Sequence, residues 1–398
     1  MNHKQKIWLL PYLLILFELV VYLSNDMYLP SMPAIASDLG LTQEQTQSTL
    51  TLWFLGASAL QFMLGPLSDR YGRRPIIVIG ALSFVLSSAA CAMAHSLSLL
   101  LVARFIQGSA ICSILVAGYA AIHELFKTKE AIKILALMAA ITILAPAFGP
   151  LFGALIVKFY SWRYIFWFLT AIGSLSFISL FIYMPESIQN KHKLHIKTIA
   201  RDYAKILSNK EFMLPCVSYC LLVGVFFLWM FEAPFLMMEV YGASTLYYGV
   251  SQIFIFGCFF VGSELTNWLL NKYDLGVLVK IATLAALLGT IIFAVTAKIY
   301  DSMLFSIMCL MLISTGSSML FGPLNRLAIE ACDQPMGRRT AVFSTMLSLF
   351  GALCGWILTL ITVTTLTSIS ILIIGCMAIA TVILLLTKVP LLDADYTE

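Results

Sequence analysis

The chain is a succession of long apolar runs, each about one bilayer crossing in length, separated by short polar turns. A membrane helix needs about 20 mostly apolar residues. Stretches 7–28, 46–66, 75–94, 98–123, 131–157 and 163–184 meet that requirement, and 212–238, 245–271, 275–297, 301–325, 338–363 and 366–388 meet it again. None alternates residue by residue as a membrane barrel does. In lipid each backbone polar group must then be satisfied within its own segment, so helices are predicted. The expected fold is an all-α polytopic membrane protein with twelve transmembrane helices. The one long polar stretch, 185–211, separates a bundle over 1–184 from a second over 212–398. Two pseudo-symmetric six-helix bundles are the layout of transporters built from repeated halves around a midplane site. The dividing stretch carries Lys191, Lys193, Lys197, Arg201, Lys205 and Lys210, and fits either a short interfacial helix or a solvated linker.

Composition removes the soluble alternative. Apolar residues make up 61% of the 398 and charged residues 11%, against roughly 25% charged in soluble domains. A single soluble core stops growing at roughly 250–300 residues, so lipid must solvate most of this surface. No basic run with interleaved aromatics points to nucleic acid. The nine cysteines form no C-x-x-C pair and no zinc spacing with histidine, so they read as small core hydrophobes, and neither metal nor cofactor is expected. Lys4 and Lys6 before an apolar stretch imitate a signal peptide. Glu18 and Asp26 interrupt that stretch and no small-residue cleavage site comes after it, so it is read as a retained first span.

Charge orients the spans. With the N-terminus cytoplasmic, 20 of the 24 Lys and Arg fall in cytoplasmic segments, leaving Lys158, Arg163 and Lys298 outside and Arg104 within a span. The positive-inside rule then predicts that both termini, and Lys388 near the end of the chain, are cytoplasmic.

Ionisable groups within spans are the candidates for chemistry. Glu18, Tyr22 and Asp26 recur at i, i+4 and i+8 of span one, with Asn25 beside them, and a helix face this polar should line a cavity. Counting about 1.5 Å per residue puts Glu18 roughly 15 Å and Asp26 roughly 3 Å from the outer end. Glu18 is thus expected to be the mid-membrane carboxyl and the main proton and cation site. Asp26 is expected to be a second one, though an interfacial carboxylate at a helix end fits too. Arg104, with Gln107 and Gly108 in span four, costs at least about 2.5–3.5 kcal/mol at a helix centre, so it ties helices together or serves the site. It lies about 9 Å in from the same edge, and it is predicted to meet Asp26, directly or through one polar neighbour, in at least one state. Glu232, before Pro234 in span seven, is a further candidate for the cavity, and Glu264 late in span eight is another acid. Trp53, Phe54, Trp229 and Phe231 fit the walls of an apolar pocket, or ordinary packing.

Two further patterns concern the backbone. Gly65-Pro66-Leu67-Ser68-Asp69-Arg70-Tyr71-Gly72-Arg73-Arg74-Pro75 forms the turn between spans two and three, with Gly72 for a tight turn and Pro75 to open the next helix. In span five, Pro146 and Pro150 bend the helix while Gly149 and Gly153 permit close approach of a neighbour.

These residues carry a resemblance. Gly65, Leu67, Asp69, Arg70, Gly72, Arg73 and Arg74 match the G-x-L-x-D-R-x-G-R-R signature of the major facilitator superfamily. Arg104, Gln107 and Gly108 match its R-x-x-Q-G signature, and Gly149-Pro150 with Gly153-Ala154 resembles the G-P-x-x-G-[GA] motif of its antiporting branch. The runs Glu18–Met27 and Gly118–Glu124 resemble MdfA-type multidrug/proton antiporters. The C-terminal half is similar mainly in layout, and Glu232 and Glu264 fall outside that pattern. The resemblance implies a bacterial inner-membrane protein, working as a monomer among lipids, that exports small lipophilic cationic or neutral compounds in exchange for protons and so confers antibiotic resistance. It implies that the turn after span two gates the halves, and that Arg104 takes part in proton handling. Export of one endogenous metabolite or siderophore, or proton-coupled import, remain open. A membrane enzyme or sensor is disfavoured, since no nucleophile–base pair or output domain is visible.

Overall fold

The computed structural model describes residues 3–188, 196–361 and 365–386, and every regular element among them is helical. Lys191, Lys193 and Lys388 lie outside the described residues. The N-terminal half comprises α1 (His3–Asp26), α2 (Met32–Leu39), α3 (Gln43–Ala59), α4 (Gln61–Tyr71), α5 (Arg73–Ala92), α6 (Leu97–Ser113), α7 (Tyr119–Leu125), α8 (Thr128–Phe159) and α9 (Arg163–Tyr183). The connecting α10 spans Ile196–Ser208. The C-terminal half comprises α11 (Lys210–Phe235), α12 (Thr245–Leu270), α13 (Leu275–Ile299), α14 (Met303–Glu330), α15 (Met336–Leu360) and α16 (Leu366–Leu386). Eleven stretches are long and apolar enough to cross a membrane, and α3 with α4, bent by 41°, makes the twelfth. The chain is a polytopic membrane protein.

The first span departs from expectation in one respect. It does not end near residue 28. After Asp26 a tight turn (Leu29–Ser31) leads into α2, and the whole stretch Ile7–Leu39 forms one candidate crossing. Pro30 and Pro33, lacking an N–H, start new turns instead of continuing α1. Asp26 therefore lies thirteen residues before the end of the crossing, and it is 2% exposed. Although Asp26 is the last residue of α1, protein and not open surface surrounds it.

Helices of each half pack mainly on one another: α3 on α6, α5 on α6 and α9, α1 on α8 and α9; then α13 on α14, α12 on α14, α11 on α14, α15 and α16. The halves meet along two seams, α8 with α12 and α3 with α15. Glycine sets the closeness of both. A Cβ on Gly249 of α12 would come within 2.8 Å of Leu151 Cα, and one on Gly351 of α15 within 2.9 Å of the Phe54 ring. Lipid offers helices little hydrophobic reason to associate, so close backbone approach supplies the contact instead.

Between the halves, α10 is a docked helix. Ile206 is buried, Tyr203 packs edge-on against Phe62 with ring centres 4.7 Å apart, and Asp202 pairs with Arg338. Lys197, Arg201 and Lys205 are exposed.

Candidate functional site

Two cavities are stacked between the halves and share Leu115 and Ser344 in their walls. The larger, about 770 Å³, is a vestibule at the end bearing the α4–α5 turn, lined there by Asp69, Arg73, His123 and Glu124 and across from them by Pro335–Arg338. The inner one, about 320 Å³, is walled by Trp53, Phe54, Tyr219, Phe226, Phe227, Phe256, Phe259 and Phe321. Its polar lining comes from Tyr22, Asn25, Asp26, Ser344 and Ser348, and Asp26 is the one charged residue among them. The cavity offers flat apolar faces and a single carboxyl, a combination suited to lipophilic guests with or without one positive charge.

The span-one stripe is divided. Tyr22, Asn25 and Asp26 face the inner cavity, while Glu18, fully buried, lines neither cavity. Its Oε1 accepts a hydrogen bond of 3.0 Å from the Tyr119 hydroxyl, and its Oε2 has no partner. Tyr119 itself lines the vestibule. It comes directly after a π-turn, Ile114–Gly118, that joins α6 to α7. A π-turn adds a residue to the helical ladder and rotates the residues beyond it, which turns Tyr119 towards α1. The expected mid-membrane depth of Glu18 thus leads to a pocket of its own, with Tyr119 between it and the vestibule. The sequence does not single out Tyr119, because a register change at 114–118 leaves no signature in it.

Asp26 and the span-five motif form one structural unit. A Cβ on Gly149 would lie 2.6 Å from the Asp26 Cβ, and one on Gly153 would lie 2.1 Å from the Met27 carbonyl oxygen. Pro146 lines the inner cavity one turn before Gly149 in α8, and the Pro150 carbonyl abuts the position of Gly249 on α12. The small residues of α8 therefore seat the end of α1 on one side and the partner half on the other.

In this state no hydrogen bond or ion pair joins Arg104 to Asp26. Its Nη1 donates to the Ser24 carbonyl at 2.8 Å and to Gln107 Oε1 at 2.7 Å, and Gln107 passes the network to Ser88 at 2.8 Å. The guanidinium lies over Tyr28, 4.4 Å from the ring centre, and near Trp53 at 6.0 Å. Asp26 instead accepts from the neighbouring Asn25 amide at 3.2 Å. The break after Asp26 directs its carboxyl to the cavity and leaves the Ser24 carbonyl facing α6. Gly108 completes that signature by packing: a Cβ there would sit 2.0 Å from the Trp53 carbonyl oxygen.

The α4–α5 turn is clamped from within its own half. Gly72 adopts φ +114°, a conformation that favours glycine, and Glu186 lies against it. Glu186 accepts from the Arg73 and Arg74 amides at 2.8 and 3.3 Å. The Arg73 side chain bonds Asp69 at 2.6 Å, Glu124 at 2.9 Å and Ser68 at 2.8 Å, and Arg74 donates to the Phe181 carbonyl. Arg70 lies over the Tyr71 ring, and Gly65 lines the vestibule. Among the described residues no hydrogen bond or ion pair runs from this turn to the C-terminal half, so the implied latch is not made in this state. Asp69→Asn is expected to slow transport about fivefold, the worth of one partly exposed ion pair, while substrate affinity in detergent stays within about twofold. Parallel uptake into proteoliposomes and equilibrium binding would check this, and an equal loss in both would exclude a gating role.

The C-terminal acids also divide. Glu232 is 1% exposed but lines neither cavity; it bonds to Gln43 and Gln47 of α3 at 2.8 and 3.0 Å. Glu264 lies on the exposed outer surface of α12. Of the four candidate pocket aromatics, Trp53 and Phe54 line the inner cavity, whereas Trp229 and Phe231 are buried in packing. Phe226, Phe227 and Met230, other faces of the same helix, take their place.

Comparison with known proteins accords with this arrangement. Multidrug transporter MdfA of Yersinia pestis bv. Antiqua is 32% identical over 336 residues, covering 84% of this chain and 82% of the relative. Chloramphenicol resistance protein CraA of Acinetobacter baumannii is 31% identical over 341 residues, covering 85% and 82%. In fold the chain is similar to a D-xylose-proton symporter (TM-score 0.74, 15% identity, 97% and 98% covered) and to a bacterial homologue of the human lysosomal transporter Spinster (TM-score 0.67, 15% identity, 96% and 95% covered). Residues 14–355 match the family model described as Major Facilitator Superfamily. The twelve crossings, the turn clamped at Gly72 and the cavity between two packed halves are thus the features of a transporter and not of an enzyme, and this chain belongs to the major facilitator superfamily.

Proposed function

We propose that this protein exports small lipophilic compounds, cationic or neutral, across the bacterial inner membrane in exchange for protons. The observation that carries the reading is the inner cavity: a wall of aromatic rings around a single buried carboxyl, Asp26, reached from the vestibule at the basic end. The positive-inside bias assigns that end, and both termini, to the cytoplasm. The names of the relatives, a multidrug transporter and a chloramphenicol resistance protein, support drugs as the cargo. The mechanism is competition for one carboxyl. A bound cation favours its charged form, and a proton abolishes that charge, so the two exclude one another. Glu18, reached through Tyr119, is a second proton site away from the cargo. Arg104 holds the end of α1 through the Ser24 carbonyl and so keeps Asp26 facing the cavity. The protein needs no cofactor and works as a monomer, with lipid and protons as its other partners.

The test is efflux of a fluorescent lipophilic cation by purified protein in proteoliposomes. Export should track an imposed pH gradient and stop when a protonophore collapses it. Transport indifferent to the gradient, or accumulation in the opposite sense, would overturn proton-coupled export.

A further inference from the structure

Glu232 is an acid that none of the transport signatures contains, yet it is almost fully buried where the two halves meet. Its Oε2 accepts from the Gln43 amide at 2.8 Å and its Oε1 from the Gln47 amide at 3.0 Å. Gln47 also donates to the Phe231 carbonyl at 3.2 Å. Both glutamines belong to the N-terminal half and Glu232 to the C-terminal half, so these three bonds tie one half to the other. They lie at the end away from the vestibule, since Gln43 is the first residue of α3 and Glu232 stands just before α11 leaves its regular form. Two residues before Glu232, on the wall of the inner cavity, the Asn25 amide contacts Met230 Sδ at 3.6 Å, and next to Asn25 comes Asp26. The clasp thus seals the side of the cavity opposite the vestibule.

We infer that Glu232, held by Gln43 and Gln47, is the gate that keeps the transport path shut at its outer end. The inference rests on the transport reading only in requiring the halves to part at that end. Its chemistry suits a bond that must break in every cycle. Among the described residues no cation pairs with Glu232, so opening strands no buried positive charge, whereas parting a buried ion pair would leave one. Free amides and a carboxyl are readily taken up by entering water. Beyond Glu232 the helix is pliable: Pro234 interrupts its ladder and a π-turn, Leu236–Val240, comes next.

Hydrogen exchange of the purified full-length chain in lipid nanodiscs tests this. In Glu232→Leu, amides of 43–51 and 232–240 are expected to exchange about tenfold faster, as two side-chain hydrogen bonds are lost. Amides of 336–344, across the vestibule, are expected to exchange more slowly as the opposite end closes. The double variant Gln43→Leu/Gln47→Leu, which breaks the clasp from the other half, should reproduce this reciprocal pattern. Glu232→Gln keeps one carbonyl acceptor and should fall between. Unchanged exchange at the outer end, or faster exchange at both ends, would overturn the proposal. Efflux is measured separately: a reciprocal pattern upholds the clasp even where proton-coupled export fails its own test.

Discussion

Asp26→Asn should weaken binding of a lipophilic cation such as tetraphenylphosphonium by about 100-fold, while a neutral ligand such as chloramphenicol loses less than about threefold. The reasoning starts from the cavity wall, where Asp26 is the one charged side chain lining about 320 Å³ of otherwise aromatic and weakly polar space. Losing one member of a desolvated charge pair costs roughly 2–5 kcal/mol, and roughly 1.4 kcal/mol is a factor of ten. Asparagine keeps the shape and a carbonyl acceptor, so a neutral guest meets almost the same walls. Proton release on cation binding should vanish with it. Glu18→Gln is expected to behave differently, because Glu18 lines neither cavity and, among the described residues, bonds to Tyr119 alone. That variant should keep cation affinity within about threefold and still release a proton on binding, so its transport should respond less steeply to a pH gradient, with Asp26 as the one proton carrier left. Titration calorimetry in two buffers of different ionisation enthalpy gives affinity and proton count together. Proton release surviving Asp26→Asn and disappearing in Glu18→Gln would reverse the assignment.

Gly153→Val should be the most damaging single change in the span-five motif. A Cβ at that position would sit 2.1 Å from the Met27 carbonyl oxygen and 2.8 Å from its carbon, and both are backbone atoms that no rotamer change can move. Forcing α8 away from α1 is overpacking, and about 3 kcal/mol of stability is the expected loss. It also displaces Asp26, two atoms of which already border the Cβ position of Gly149, so cation affinity should fall as well. Gly322→Ala is the control: nothing lies within 4 Å of its Cβ position, and replacing a helical glycine there should stabilise by about 0.5–1 kcal/mol. Thermal unfolding monitored by tryptophan fluorescence in one detergent compares the two. A Gly153→Val protein that melts with the unaltered one would show that α1 and α8 are not held this closely.

The motifs were legible because each is a local pattern with a local reason. Gly72 between the arginines and before Pro75 reads as a turn from the residues alone, and the turn is there, with φ +114°. The glycines of span five read as a close-packing face. Their packing partner was not legible, because nothing in residues 146–153 records that Met27 and Asp26 lie opposite. Arg104 shows the same limit. Depth counting brought it near Asp26, but the chain breaks after Asp26 and offers it the Ser24 carbonyl and the Tyr28 ring instead. Glu232 was visible as an acid within a span, and its glutamine partners were invisible, since Gln43 and Gln47 read as ordinary polar residues at a helix start.

By itself the sequence determined the number and order of the crossings and the family. These are set by the free energy of single segments in lipid and by short motifs, which neighbouring helices alter little. Only the tertiary structure decided which carboxyl faces the cavity. That choice depends on where α1 breaks, on a π-turn that rotates Tyr119 towards Glu18, and on glycine contacts that hold α8 against Asp26. Each of these is set by packing between helices far apart in the chain, where a rotation by one residue, about 100°, moves a side chain from one surface to another.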